Sequence, residues 1–193
     1  MKILIVYSHP YDGSFNNAVK EKVVLTLKET GHSVELRDLY SINFNPVLSA
    51  SELVSLKNGK IFDDVKEEQE FVSWADIMVF IYPIWWGGMP AIARGYLDRV
   101  FSYGYAYLDT DQGPVGLLNK KRIILINTVG ATEELYRDNG MTKALEIVAD
   151  IGVFQFCDAK VEKHIHLSGI PTSTLEDRKS MLADIESFFK KLK

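Results

Sequence analysis

Three stretches of this chain combine residue types that could bind and activate a ligand. Ser8 to Asn16, reading SHPYDGSFN, sets small and polar groups just ahead of a helical pattern. Unpaired N–H groups and the helix dipole favour an anion there, and a phosphate is the natural guest. Tyr82 to Pro90, reading YPIWWGGMP, follows the apolar run Ile77 to Ile81 and is broken by Pro83, Gly87, Gly88 and Pro90. Trp85 and Trp86 stand where a strand-to-helix turn ordinarily carries small polar residues. A wide apolar surface beside free backbone amides suits a flat ring rich in heteroatoms; the plainer alternative is that the tryptophans plug the end of the core. Asn127 to Gly130 closes a third apolar run. The first stretch lacks both the Gly-Lys-Ser/Thr ending of a Walker loop and a G-x-G-x-x-G run, which disfavours a nucleoside triphosphate or a conventional dinucleotide there. His9 could meet a phosphate or a ring edge, or simply cap its own turn.

The elements that must position these loops follow from periodicity. Ile3–Tyr7, Ile77–Ile81 and Arg122–Thr128 are continuous apolar runs of the kind found in central parallel strands, and Ser33–Asp38 alternates as a fourth strand. A fifth strand is expected at Val153–Val161. Helices are expected from about Ser14 to Gly31, in two pieces between Ser51 and Trp74, from Pro90 to about Phe101, over Met141–Ile151 and over Ser173–Leu192. Leu39–Ser49 reads as an irregular connection, and Tyr103–Leu118 as a long loop carrying Tyr103, Tyr105 and Tyr107 at alternate positions, either functional or a solvent-tolerant edge strand. Strands alternating with helices imply an α/β fold, a parallel sheet covered on both faces with right-handed crossovers. Ligands of such sheets bind beyond the carboxyl ends of the strands, where strand order reverses, and the three stretches fall in the loops so singled out.

Composition narrows the field. A chain of 193 residues, 47% apolar and 25% charged, fits one folded domain spanning 1–193. The formal charge of -4, without a long Lys/Arg cluster, argues against nucleic acid or an anionic membrane as main partner. The single cysteine, Cys157, excludes an internal disulfide and reads as a buried packing residue. No metal site is expected: His164 and His166 lack a companion ligand set and read as surface residues. Asp109, Asp111, Glu133 and Glu134 read as solvated loop charges. The amino end is a strand and no run is long enough to span a membrane, so a soluble, cytoplasmic protein is expected.

SHP followed by SFN, the Asp38–Tyr40 run DLY, YPIWWGGMPA, GYAY at Gly104–Tyr107 with Gly113-Pro114 after it, and a strand running into Thr128 and Gly130 together resemble the NAD(P)H:quinone oxidoreductase family, most of all its short bacterial members. The motifs keep the family order over most of the chain, from Ile3 to about Tyr136. The resemblance implies a flavodoxin-like, three-layer α/β/α fold with strand order 2-1-3-4-5, a tightly bound flavin (FMN, with FAD possible), NAD(P)H as co-substrate and a homodimer. His9, Ser14, Phe15 and Asn16 would hold the phosphate end of the flavin. Pro83, Ile84, Trp85, Trp86 and Gly87 would lie along its ring, with Asn127, Thr128 and Gly130 approaching from the end of the Arg122–Thr128 strand. Trp86, Tyr105 and Tyr107 would form the slot for a nicotinamide or quinone, Tyr107 reaching in from the partner subunit. Tyr136 would be the catalytic residue that polarises the flavin. Val129 departs from the family's Thr-Thr-Gly-Gly, and the histidine that follows the family tyrosine is missing, with Asn139 or Thr142 near its place.

The activity implied is ping-pong hydride transfer from NAD(P)H through the flavin to a quinone, or to azo and nitro compounds. One alternative is a flavin-binding regulatory subunit of a potassium-efflux system, which would add a membrane transporter as partner. Another, a one-electron carrier, fits poorly with loops built for a second flat ligand.

Overall fold

The computed structural model describes residues 1–193. The apolar runs form β1 (Lys2–Tyr7), β3 (Ile77–Pro83) and β6 (Arg122–Thr128), and all but their first residues are buried, apart from β3, which is buried throughout. Burial on both faces is what fills a strand with Ile, Leu and Val without alternation. With β2 (Ser33–Asp38) and β7 (Lys160–Leu167) they make a five-stranded parallel sheet in the order β2-β1-β3-β6-β7. Order 2-1-3-4-5 is therefore present, and strand order reverses between β1 and β3.

Helices cover both faces. On one side α1 (Phe15–Glu29) and α7 (Leu175–Lys190) pack on Ile3, Ile5, Ile77, Val79, Ile124 and Ile126. On the other, α3 (Asp63–Trp74), α4 (Ala91–Val100) and a helix that starts as α6 (Met141–Glu146) pack on Leu4, Val6, Met78, Phe80, Ile123 and Leu125. α6 runs on as a wide π-helical stretch over Ile147–Gln155. Two short helices, α2 (Ala50–Lys57) and α5 (Glu133–Asp138), complete the set. No helix is long and apolar enough to cross a membrane.

The irregular connection after β2 is pinned by charge. The buried guanidinium of Arg99 on α4 donates to Glu52 at 2.7 Å, to Asp64 at 2.7 Å and to the Asn45 carbonyl at 2.7 Å. Where that connection crosses α4, a Cβ on Gly95 would meet the Pro46 carbonyl oxygen at 2.1 Å, so only glycine fits.

Two expectations need correction. The fifth strand is not Val153–Val161: that apolar stretch begins in the π-helical turn, and the strand is Lys160–Leu167, whose lysines reach solvent because β7 is the sheet edge. A short apolar run fits helix or strand equally well, and here the helix won. Nor is Tyr103–Leu118 without regular structure, since β4 (Tyr107–Thr110) and β5 (Gly113–Gly116) pair antiparallel as a hairpin.

Candidate active site

The loops that follow β1, β3 and β6 meet at the carboxyl edge of the sheet, and each presents backbone amides with no acceptor in the chain. After β1, Ser14 caps α1 by accepting from the Asn17 amide at 3.1 Å, which leaves the N–H groups of Phe15 and Asn16 free at the helix N-terminus. After β3, Trp85 and Gly88 exchange backbone hydrogen bonds of 3.0 and 3.1 Å across a two-residue turn. Its central residues, Trp86 (φ 49°) and Gly87 (φ 72°), are both left-handed, and their amides are unpaired. Such a turn accepts glycine freely, but a tryptophan in it is strained. The strain gains no burial, because Trp86 is fully exposed. After β6, Gly130 and Ala131 again donate to nothing within the chain.

These loops are tied to one another. His9 accepts from the Tyr11 amide at 3.1 Å through Nδ1, leaving Nε2 to carry the proton, and its ring meets Trp85 edge-on with centroids 5.7 Å apart. Burial holds the His9 imidazole below its ordinary range. Asn16 donates to the Thr128 hydroxyl, joining α1 to the end of β6. Three polar atoms in this quarter are buried without a partner: the Tyr7 hydroxyl and the side-chain oxygens of Asn16 and Asn17. Burial raises the Tyr7 phenol, and the Lys20 ammonium lies 4.8 Å above its ring. The free amides at the helix N-terminus are the donors a phosphate monoester requires, and the unpaired Asn16 and Asn17 oxygens beside them are acceptors suited to hydroxyls on its ester arm.

The other face of β6 carries a second polar assembly. Tyr82 of β3, Asn127 of β6 and His166 of β7 lie in one cross-strand row. His164, two residues before His166, bonds Asn127 Oδ1 through Nε2 and the Asp150 carboxylate through Nδ1 at 2.8 Å. Asp150 comes from the π-helical stretch. The His164 side chain is almost wholly buried, so the expectation of two surface histidines is wrong. Both ring nitrogens of His166 are buried without partners, and its pKa is lowered to about 4 by burial and by the neighbouring His164. Tyr82 and Asn127 line a cavity of about 200 Å³ beneath the Trp85–Gly88 turn, with Ile84, Met89, Arg94 and Val153.

The chain matches the model of a family described as having the flavodoxin-like fold over residues 1–189. It is 40% identical over 158 residues to an NAD(P)H oxidoreductase of Haemophilus influenzae described as uncharacterized, covering 81% of this chain and 78% of that one. It is 32% identical over 202 residues to mouse ribosyldihydronicotinamide dehydrogenase [quinone], covering 94% and 87%. The solved NAD(P)H:quinone oxidoreductase of Methanothermobacter marburgensis superposes with a TM-score of 0.89 at 29% identity, over 100% and 99% of the two chains. This chain belongs to the flavodoxin-like family of NAD(P)H:quinone oxidoreductases.

The family resemblance assigned residues one by one, and the structure treats them unequally. His9, Ser14, Phe15, Asn16, Pro83, Ile84, Trp85, Trp86, Gly87, Thr128 and Gly130 all lie on or under the three converging loops. Asn127 is wholly buried and turned to the opposite face of the sheet from Thr128. Tyr136 lies half-buried on α5, two turns beyond Gly130. Near the place of the family histidine, Asn139 is occupied as a cap, accepting from the Met141 amide at 3.0 Å. The Tyr105 hydroxyl donates to the Gln69 carbonyl at 2.7 Å and sits 2.8 Å from Ser73 Oγ, which fastens the loop to α3. Tyr107 packs edge-on against Phe156 and lines a cleft with Arg94, Leu97 and Phe101 that does not contain Trp86. The histidines were noticed in the sequence but not their partners: Asp150 reaches His164 by the packing of the π-helical stretch on β7, and Asn127 by the pairing of β6 with β7.

Proposed function

We propose that this chain is a single flavin-binding domain that works as an NAD(P)H:quinone oxidoreductase, with FMN preferred to FAD, in a homodimer. The observation that carries this is the set of three unpaired amide pairs, at Phe15–Asn16, Trp86–Gly87 and Gly130–Ala131, around an exposed and strained Trp86. Bound flavin supplies two-electron hydride chemistry between NAD(P)H and a quinone taken up in turn. Ser14 and the free amides of α1 hold its phosphate, with Asn16 fixed by Thr128. The amides of Trp86, Gly87, Gly130 and Ala131 face heteroatoms and stabilise negative charge, as the donors of an oxyanion hole do.

Trp86 offers one wall of an apolar slot for the second ring. Within one chain Tyr107 lies in a different cleft, so the opposite wall comes from the partner's copy of that surface. Exposed Leu53, Val54, Ile147, Val148, Ile151 and Phe156 supply apolar area for such an interface. Tyr136, with no partner in the chain for its hydroxyl, serves as a donor to the ring. Tyr136→Phe is expected to slow flavin reduction about tenfold, the worth of one charge-assisted hydrogen bond; an unchanged rate removes it from the mechanism.

The deciding experiment is anaerobic stopped-flow absorbance on protein loaded with FMN or FAD, mixed with NADH or NADPH and then menadione. Rapid bleaching of the flavin band and its recovery on adding the quinone support the reaction. Failure of either flavin to bind, or of bound flavin to be reduced, refutes it.

A further inference from the structure

We propose that His164 is a positioning residue, held as an imidazolium between Asp150 and Asn127, that turns the Asn127 amino group toward Tyr82 and the cavity beneath the Trp85–Gly88 turn. The inference rests on the flavin reading, in that this buried charge and fixed donor make the carboxyl ends of β3 and β6 favour an electron-rich ring.

Hydrogen-bond bookkeeping leads there. The His164 ring is flanked by two oxygens, the Asp150 carboxylate at Nδ1, 2.8 Å away, and the Asn127 amide oxygen at Nε2. Neither oxygen can donate, so both bonds form only if the ring donates twice, which requires the doubly protonated form. With its oxygen engaged, Asn127 is left with an amino group that is buried and has no acceptor in the chain. That group belongs to the row that includes Tyr82, whose phenol is raised by burial.

The stacked pair of histidines supports the same assignment. The rings of His164 and His166 are 4.2 Å apart at 33°, and two imidazoles so close do not both carry charge cheaply. His166 has no partner at either nitrogen, whereas His164 has the carboxylate, so the charge resides on His164. The ionisable groups around the ring are Asp150 from the π-helical stretch, His166 from the same strand and, beyond Asn127, Tyr82 from β3. A neutral ring would accept from Asn127 instead, reverse the amide and present its oxygen to the cavity. Protonation at His164 therefore decides whether a donor or an acceptor faces the site.

Long-range proton–nitrogen correlation spectra of the histidine rings, recorded on the ¹⁵N-labelled full-length protein from pH 6 to 8 with and without FMN, test this directly. Both nitrogens of His164 are expected to be protonated at pH 7 while His166 carries one proton. One bare nitrogen on His164 overturns the proposal. His164→Gln keeps a donor toward Asn127 but removes the charge. In that variant the pKa of His166 should rise by roughly one unit as its cationic neighbour disappears. The preference of the site for reduced over oxidised FMN should fall about tenfold, or about 30 mV for two electrons, in a spectroelectrochemical titration. An unmoved His166 together with an unmoved potential overturns the proposal. If FMN does not bind the unaltered protein the flavin reading fails, and the ring spectra still decide the state of His164.

Discussion

Asn127 and Thr128 are neighbours at the end of β6, yet they serve opposite faces of the sheet and two different kinds of chemistry. Thr128 accepts from Asn16 on the α1 face, by a neutral hydrogen bond in a cluster of free amides and polar side chains most of which lie within a few residues of Ser14. Asn127 accepts from His164 on the face covered by α4 and the π-helical stretch, in a cluster that contains a carboxylate and two stacked histidines drawn from three elements. Period-two alternation makes the split unavoidable. The difference teaches that one strand end can hold a ligand seat built locally and a charged support built by tertiary pairing, and that the two should respond differently to mutation and to acid.

The widest gap should appear on breaking the ion pair. Asp150→Ala leaves His164 buried without its carboxylate and is expected to cost on the order of 3 kcal/mol in urea unfolding at pH 7. Asn16→Ala, which removes a neutral bond on the other face, should cost about 1 kcal/mol. Equal losses would dissolve the contrast between the faces.

Acid sharpens the comparison. His166 is held neutral, with a folded pKa of about 4 against 6.5 for the free side chain, so between these values the unfolded chain binds more protons. Its stabilising share is present above pH 6.5 and is lost as pH falls toward 4, a loss of about 1–2 kcal/mol after allowing for partial exposure. His9 on the other face has the same sign, also through burial. Unfolding curves across this window should flatten in His166→Leu; if only a His9 variant flattens them, the acid sensitivity belongs to the ligand loop. A smaller effect is expected for Ser14→Ala, which removes the cap from α1 and should cost about 1 kcal/mol of stability. The same change should weaken flavin retention in equilibrium dialysis, whereas Asp150→Ala should spare retention in whatever fraction stays folded.

The contrast also explains what could be read from the chain unaided. The strands β1, β3 and β6 were legible because burial on both faces leaves an unbroken apolar run, and the α1 cap because Ser14 precedes its helix directly. The strand β7 was not, since KVEKHIHL is an edge strand whose polar side chains look like surface, while Val153–Val161 looked like strand although its start, Val153–Gln155, ends the π-helical stretch. The hairpin of β4 and β5 was hidden by Gly113-Pro114 and by a turn lacking Asn-Gly or Asp-Gly. The histidine cluster carried only half a local signal: His164 and His166 stood out as a pair, but Asp150 and Asn127 become their neighbours only through the packing of the π-helical stretch and the β6–β7 register.

Trp86 gives the smallest stability effect and the most direct separation of seat from slot. Its left-handed backbone costs about 1 kcal/mol that glycine would not incur, and its exposed ring returns no burial within the chain. Trp86→Gly should therefore gain at most about 1 kcal/mol in unfolding while lowering quinone turnover at least tenfold and leaving flavin bound. Trp86→Ala keeps the backbone penalty and should show the same loss of turnover without the gain. If turnover and flavin retention fall together, Trp86 is a wall of the cofactor seat. If Trp86→Gly lowers stability in a manner that depends on protein concentration, the ring is buried by a second copy of the chain, and the strain is offset across a dimer interface.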